Sequence, residues 1–352
     1  MRPLSLRNPF PMFLGFALLL LSGCAAFGPE PLLLRDPSVD LTLPPPPAET
    51  RIRFLREITG PEQIEPKQGK VRELWDMLTG EKRFSFPFST PYGLAWDGKS
   101  ILYVADSSAG VVHRYDLTKR EVSYLSRAGD EPLASPVGVA LDSDNNLLVA
   151  DSVNAKVYVF SRDGQYSGEL GQGAVTFKRP AGIAVSGQGE IFVVDVLAHK
   201  LKVFSRNQAY QGEFPNEGSG APLNLPSNVA IDRNGTVYVT DSMNFTVKVY
   251  GRDGNFIRSI GEIGDALGSF ARPRGVAVDS DLQVYVVDAT FDNFQIFDNT
   301  GRLLLFVGKK GAGPGEFLLP SGIFIDRNDR IFVSDTFNKR IQIFEYLKKG
   351  AQ

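Results

Sequence analysis

The chain is poor in the residues on which most metal and nucleophilic chemistry depends. Its 352 residues include one cysteine and two histidines. Structural zinc sites, disulfide frameworks and Cys/His pairs therefore have almost no raw material. A basic excess is missing as well: 38 Lys and Arg stand against 40 Asp and Glu, for a formal net charge of −2. Generic nucleic-acid binders carry a basic surface, which argues against that class of partner. No apolar run reaches bilayer-spanning length. What is abundant is turn chemistry, with 35 Gly and 23 Pro, and aromatic bulk, with 25 Phe. At 43% hydrophobic and 22% charged, the composition is that of a globular, β-rich chain able to bury a large core.

The first residues read as an address. Arg2 and Arg7 precede a largely apolar stretch from Phe10 to Leu21, too short for a spanning helix but suited to a signal-peptide core. The stretch ends in Leu21-Ser22-Gly23-Cys24, which holds the only cysteine. This tetrapeptide resembles the lipobox of bacterial lipoproteins. The resemblance implies a signal peptide over 1–23, lipidation at Cys24 and anchoring to a membrane of the cell envelope. Ala25 stands where Asp is associated with inner-membrane retention, which by the same resemblance implies the outer membrane. Losing Arg2 and Arg7 takes Lys plus Arg from 38 to 36 against 40 acids, a formal charge of −4. Residues 24–50 then hold Pro29, Pro31, Pro37 and Pro44 to Pro47. That composition predicts a semi-rigid tether after the anchor, roughly 80 Å long at about 3.1 Å per residue, with Leu32 to Leu34 able to dock.

The remainder repeats itself. Pro91, Pro136, Pro180, Pro226, Pro273 and Pro320 recur at spacings of 44 to 47. Fifteen residues after each stands Asp106, Asp151, Asp195, Asp241, Asp288 or Asp335, and nine further on an aromatic: Tyr115, Phe160, Phe204, Tyr250, Phe297 or Phe344. Gly follows each Pro by two, except at Asn228. A period in this range marks a solenoid or propeller array. Within the fourth unit, Asn228–Asp232, Thr236–Thr240, Thr246–Tyr250 and Asn255–Ile260 alternate as strands, and Asn234-Gly235 suits a tight hairpin. Four antiparallel strands per unit is the blade of a β-propeller. The expected fold is therefore all-β, with six four-stranded blades over 51–347, full repeats starting near 88, 133, 177, 223, 270 and 317, and a tail at 348–352. The last copy lacks a fourth strand. Arg51–Gly60 resembles Phe256–Gly261 and is expected to supply it, which ties the ring and removes an open edge. Val71–Thr79 reads as a short helix with Trp75 and Leu78 inward.

Pro320-Ser321-Gly322-Ile323, followed by Asp335-Thr336-Phe337-Asn338-Lys339-Arg340-Ile341-Gln342-Ile343-Phe344, is similar to the NHL repeat. The resemblance runs over about 51–347. It implies the propeller fold but constrains function weakly, because this fold hosts RNA binders, lyases, sensor ectodomains and scaffolds.

The six Asp residues read as structural, since a catalytic carboxylate pair needs asymmetric surroundings, whereas an Asp entering a turn accepts from backbone N–H groups. The Gly column reads as close backbone approach at the axis, and the aromatics as inter-blade core. His113 shares a third-strand column with Tyr158, Lys202, Lys248, Gln295 and Gln342 and is expected at the surface. Gly308–Gly315 lacks the Gly-Lys-Ser/Thr ending of a phosphate loop and reads as an inter-blade connection.

Function is expected on the face where the fourth-to-first and second-to-third connections emerge, because all length variation falls there. That face is expected to carry Lys178, Arg179, His199, Arg272, Arg274, Phe291, Phe337, Lys339 and Arg340. Exposed aromatics with Arg suit an interface. The preferred reading is a non-enzymatic binding or scaffold propeller that recognises an envelope protein, peptide or glycan, with no nucleic acid, no catalytic residue and no cofactor assigned. The alternative is a lyase or lactone hydrolase using a calcium-type cation in the central channel, held by oxygen ligands. Asn228 is the channel candidate.

Overall fold

A computed structural model describes residues 29–45, 47–65, 85–171, 175–216, 218 and 221–348. Six antiparallel sheets succeed one another around a ring. Blade 1 is Pro91–Trp96, Ile101–Asp106, Val111–Asp116 and Glu121–Leu125. Blades 2 to 5 repeat this order, with inner strands Pro136–Leu141, Pro180–Val185, Pro226–Ile231 and Pro273–Val278, and outer strands Tyr166–Glu169, Tyr210–Phe214, Phe256–Ile260 and Leu303–Val307. Blade 6 joins Ile323–Ile325, Arg330–Asp335 and Arg340–Tyr346 to Ile52–Ile58. The N-terminal strand thus completes the last blade, as its likeness to the other outer strands predicts.

The core is six clusters, one between each pair of adjacent blades, that between 6 and 1 included. Period-2 alternation sends successive side chains to opposite sheet faces, and each face meets a neighbouring blade. Second strands such as Ile191–Asp195 and Val284–Asp288 are therefore buried throughout. The aromatic column Tyr115, Phe160, Phe204, Tyr250, Phe297 and Phe344 lies in these clusters at no more than 1% exposure.

Close approach of inner strands fixes the Gly column. A Cβ on Gly138 would lie 2.0 Å from the Ala181 carbonyl oxygen, and one on Gly322 only 1.9 Å from that of Tyr92. The second contact crosses the closure of the ring. Thr336 Oγ1 and Ser334 Oγ reinforce it by donating to the carbonyls of Pro91 (2.9 Å) and Tyr92 (2.7 Å).

Of the tether expected over 24–50, Leu32 and Leu34 dock as expected, and the expectation is corrected over 36–43, which lies on the propeller as well. Leu32 N–H donates to the Leu117 carbonyl (2.8 Å) and Asp36 N–H to that of Leu55 (2.7 Å). Thr42 and Leu43 pair with Arg53 and Ile52 as a fifth strand on blade 6. The cause is apolar alternation that proline content conceals: Leu32 and Leu34 pack on the blade 6–blade 1 cluster, and Val39, Leu41 and Leu43 on the blade 5–blade 6 cluster. The predicted helix at Val71–Thr79, like the signal segment and Cys24, lies outside the described residues. A four-residue helix, Pro61–Ile64, follows the closing strand.

Candidate functional site

The two ends of the ring differ in construction. At one end emerge the first-to-second and third-to-fourth hairpins, several tied by an Asp that accepts from its own turn. Asp232 Oδ1 takes the N–H of Asn234 (2.8 Å) and Thr236 (2.9 Å), and Asp326 repeats the pattern. At the other end emerge the longer inter-blade loops and the second-to-third turns.

The six repeated Asp residues hold that loop-rich end together. Asp106 accepts from the N–H of Ser89 (2.6 Å), Thr90 (2.9 Å) and Ala109 (3.2 Å), so one carboxylate secures the incoming loop and its own turn. Asp151 and Asp288 do the same with Ala134, Ser135, Val153 and Asn154, and with Ala271, Arg272, Thr290 and Phe291. Burial raises the Asp106 pKa, but the bonds from His113, Ser89 and Thr90 outweigh it and hold the group below the ordinary carboxylate range. These carboxylates are turn anchors, as their repetition suggests.

Behind them the third-strand column is buried, which corrects the surface placement expected for His113. That ring is fully enclosed; its Nε2 lies 3.5 Å from Asp106 Oδ2 and its Nδ1 3.2 Å from the Tyr115 hydroxyl. Lys248 meets Asp241 (2.8 Å) and the Pro222 carbonyl. Gln295 and Gln342 accept from the N–H of Gly268 and Gly315, both at 2.8 Å. At Lys248, Gln295 and Gln342 the column is polar because it satisfies backbone groups of the inter-blade loops, not because it meets solvent.

Arg340, expected on the binding face, is a second correction. Its guanidinium is buried and donates to the carbonyls of Ala312 (2.6 Å), Gly313 (2.9 Å) and Glu316 (2.9 Å), and to Asp335 (2.7 Å) and Glu57 (2.6 Å). It clamps the Gly308–Leu319 loop, which is an inter-blade connection as expected. His199 is exposed, but its Nδ1 accepts from Leu225 N–H (3.1 Å) of the next blade's loop.

The remaining predicted residues stay available. Lys178, Arg179, Arg272 and Lys339 are exposed; Arg274 and Phe291 are half-buried. Among the described residues, none of these five cations forms an ion pair. Phe337 projects from its turn, and three further side chains do so from the same place. Val153, Leu197, Met243 and Phe337 each lie two residues after the repeated Asp, at 47% to 70% exposure. The signal was legible in the repeat alignment: in four of six units this turn position is apolar where Ser108 and Thr290 stand in the others.

The channel mouth does not suit a divalent cation. The residue after each repeated Pro is Tyr92, Val137, Ala181, Ser227, Arg274 or Ser321, a set with one guanidinium and no carboxylate. Ser227 and Ser321 donate to the carbonyls of Arg274 and Pro91. Asn228 is half-buried and turns its Oδ1 back to Val229 N–H (2.7 Å). Among the described residues no group of three His, Cys, Asp or Glu is placed to hold a metal ion.

Comparison with known proteins agrees with this architecture. Among solved structures, the chain is similar to a gluconolactonase from Xanthomonas campestris, at 18% identity and a TM-score of 0.58 over 74% of this chain and 87% of that one. It is similar to virginiamycin B lyase from Staphylococcus aureus, at 14% identity and a TM-score of 0.56 over 84% and 100%. It is also similar to an auxiliary nutrient binding protein from Bacteroides ovatus, at 13% identity and a TM-score of 0.58 over 74% and 70%. At these identities the likeness is one of fold. No curated protein matches the chain. The NHL repeat model matches residues 223–250, and the family described as 6-bladed beta-propeller matches residues 107–217 and 279–348. With half of its length so matched, the chain belongs to the 6-bladed beta-propeller family DUF5128.

Proposed function

We propose that the chain is a non-enzymatic binding propeller of the bacterial cell envelope, whose loop-rich face recognises an anionic protein, peptide or glycan. The observation that carries this reading is the repeated turn position on that face. Val153, Leu197, Met243 and Phe337 hold apolar side chains in water, and Lys178, Arg179, Arg272 and Lys339 stand on the same face without acidic partners among the described residues. Exposed apolar groups among unpaired cations form a surface suited to a ligand with both apolar and negative groups.

Lipidation of Cys24 supplies the attachment in this reading, with the outer membrane as destination. The docked segment then sets orientation. Leu32 is bound at Leu117, in the connection between the third and fourth strands of blade 1, at the end opposite the loop-rich face. Residues 25–31 reach at most about 25 Å, so the anchor holds the hairpin end near the lipid and turns the loop-rich face away from it. The alternative reading, a cation-dependent lyase or lactone hydrolase, draws on the names of two structural neighbours, but the donor set at the channel mouth does not favour it.

The test is titration of the full chain in detergent with three probes: a Glu- and Tyr-rich peptide, an anionic polysaccharide and a neutral one. Binding of an anionic probe should weaken at least tenfold in Arg179→Glu/Arg272→Glu and in Met243→Ser/Phe337→Ser. Binding indifferent to both variants, or preference for the neutral glycan, would sink the reading. One cation retained per chain after dialysis, with a calcium-dependent rise in melting temperature, would favour the alternative.

A further inference from the structure

The rim of the ring is finished differently at two neighbouring blades. At blade 6 the outer strand is covered by the chain's own residues 36–43. Phe54 N–H donates to the Leu41 carbonyl (2.9 Å), Asp36 N–H donates to Leu55, and Thr42 and Leu43 pair with Arg53 and Ile52. Leu41 and Leu43 settle on the junction of blades 5 and 6, where Leu41 meets Gly315 at the tip of the inter-blade loop.

Blade 5 is the same unit 47 residues earlier. Gly268 corresponds to Gly315, and the two are held alike, by Gln295 and Gln342. Leu303 and Val307 pair with Phe297 and Phe294 where Phe54 and Ile58 pair with Phe344 and Ile341. Yet among the described residues the outer strand of blade 5 is paired on one side only, leaving a row of backbone donors and acceptors at the edge. The side chains that a covering segment would touch are exposed instead. Leu304 and Phe306 on the strand and Ile263 and Leu267 in the loop are 44% to 67% exposed. A Cβ on Gly268 would lie 3.9 Å from that of Leu303, so loop and strand form one rim. The outer strands of blades 2 and 3 are blunted by Gly168 and Glu169, and by Gly212 and Glu213. Blade 5 has no such protection.

We propose that the outer edge of blade 5 is a second docking site, where an extended segment of another protein adds as a fifth strand. Its partner carries apolar side chains at alternate positions, as residues 39–43 do on blade 6, and presses them onto Leu304, Phe306 and Leu267. Among the described residues no segment of the chain covers this edge. Residues 36–43 are engaged on blade 6, where covalent attachment gives them a high local concentration. Ile64 and Phe86 are held at blade 1, two blades away, where Arg120 binds the Ile64 carbonyl and Phe86 N–H donates to Tyr124.

The experiment uses the full chain in detergent and a fluorescein-labelled peptide with the sequence of residues 35–45. Saturable binding is expected, with slowed amide exchange across residues 303–307 in the complex. The double variant Leu304→Lys/Phe306→Lys should bind at least tenfold more weakly, and Met243→Ser/Phe337→Ser on the loop-rich face should bind as the wild type does. If the lysine variant does not fold, Ile263→Ser/Leu267→Ser carries the same expectation from the loop side. Absence of binding, binding indifferent to these changes, or an edge-to-edge dimer dissolved by the lysine variant would overturn the proposal. Because the loop-face variant is the control, failure here is distinct from failure of the loop-rich face to bind its anionic ligand.

Discussion

Blade 5 is made from one continuous stretch of chain, whereas blade 6 is assembled from both ends. Pairing Leu303–Val307 with Asn293–Phe297 closes a short loop, but pairing Ile52–Ile58 with Arg340–Tyr346 brings together residues almost a whole chain apart. Closing the longer loop costs more chain entropy, and blade 6 gathers more binding groups to offset it. Arg340 joins Glu57, Leu347 N–H donates to the Arg51 carbonyl (2.7 Å), and the N-terminal segment covers the outer edge. The equivalent places in blade 5 are plainer: Asn293 stands where Arg340 does, and no described residue covers the edge. Closure of the ring is thus a localised function of one blade, and it can be broken there.

Removing residues 51–60 is expected to have the largest effect. The last blade then loses its outer strand and two core clusters lose Phe54 and Ile58, so cooperative unfolding of the propeller should disappear. Removing 25–45 should lower the melting midpoint while leaving one cooperative transition, because only the cover is lost. Equal midpoints for the two truncations, followed by calorimetry, would defeat the closure argument. Next is Gly322→Ala at the blade 6–blade 1 contact. An added methyl meets the Tyr92 carbonyl at 1.9 Å, and overpacking against backbone costs about 3 kcal/mol. Gly275→Ala, whose nearest contact is 2.8 Å, should cost less in the same urea titration.

Arg340→Met should follow, at about 3 kcal/mol, since it strips donors from three loop carbonyls and leaves the buried Asp335 short of a partner. Asn293→Ala in blade 5 should cost under about 1 kcal/mol, because its Oδ1 has no partner to lose. Arg340 is also where the sequence misleads. A cation in a turn beside Phe337 and Lys339 looks like surface, and only the loop folded over it makes it interior. Periodicity carried the blades and the Asp anchors, because each is a local rule applied six times, and the likeness of Arg51–Gly60 to Phe256–Gly261 carried the closure. Periodicity could not carry the burial of His113 or the docking of Asp36 to Leu43, because burial there depends on which segment lies above. The apolar turn position at Val153, Leu197, Met243 and Phe337 was legible, but only by comparing the repeats column by column.

A further effect, fully present only above about pH 6, separates the same two blades at their hairpin ends. Asp326 in blade 6 is paired with Arg330, whose Nε lies 2.7 Å from its Oδ2. In blade 5 the equivalent Asp279 faces Gln283 instead, and its Oδ2 accepts only from the Tyr285 hydroxyl (3.0 Å). Burial, with Asp329 nearby, pushes the Asp279 pKa up to about 6 from an ordinary 3.8. A carboxyl raised on folding binds its proton more tightly in the folded state, so its contribution to stability grows as pH falls from 6 towards 4 and is lost as pH rises through 6. Asp279→Asn keeps an acceptor for the N–H of Asp281 and Gln283 without the charge. It should therefore be more stable than the wild type at pH 8, by about 1–3 kcal/mol, and indistinguishable from it near pH 4. Gln283→Arg should shrink that advantage by giving blade 5 the cation of blade 6. A stability difference that does not vary with pH would mean that Asp279 is ordinary, and that the two blades differ in closure alone.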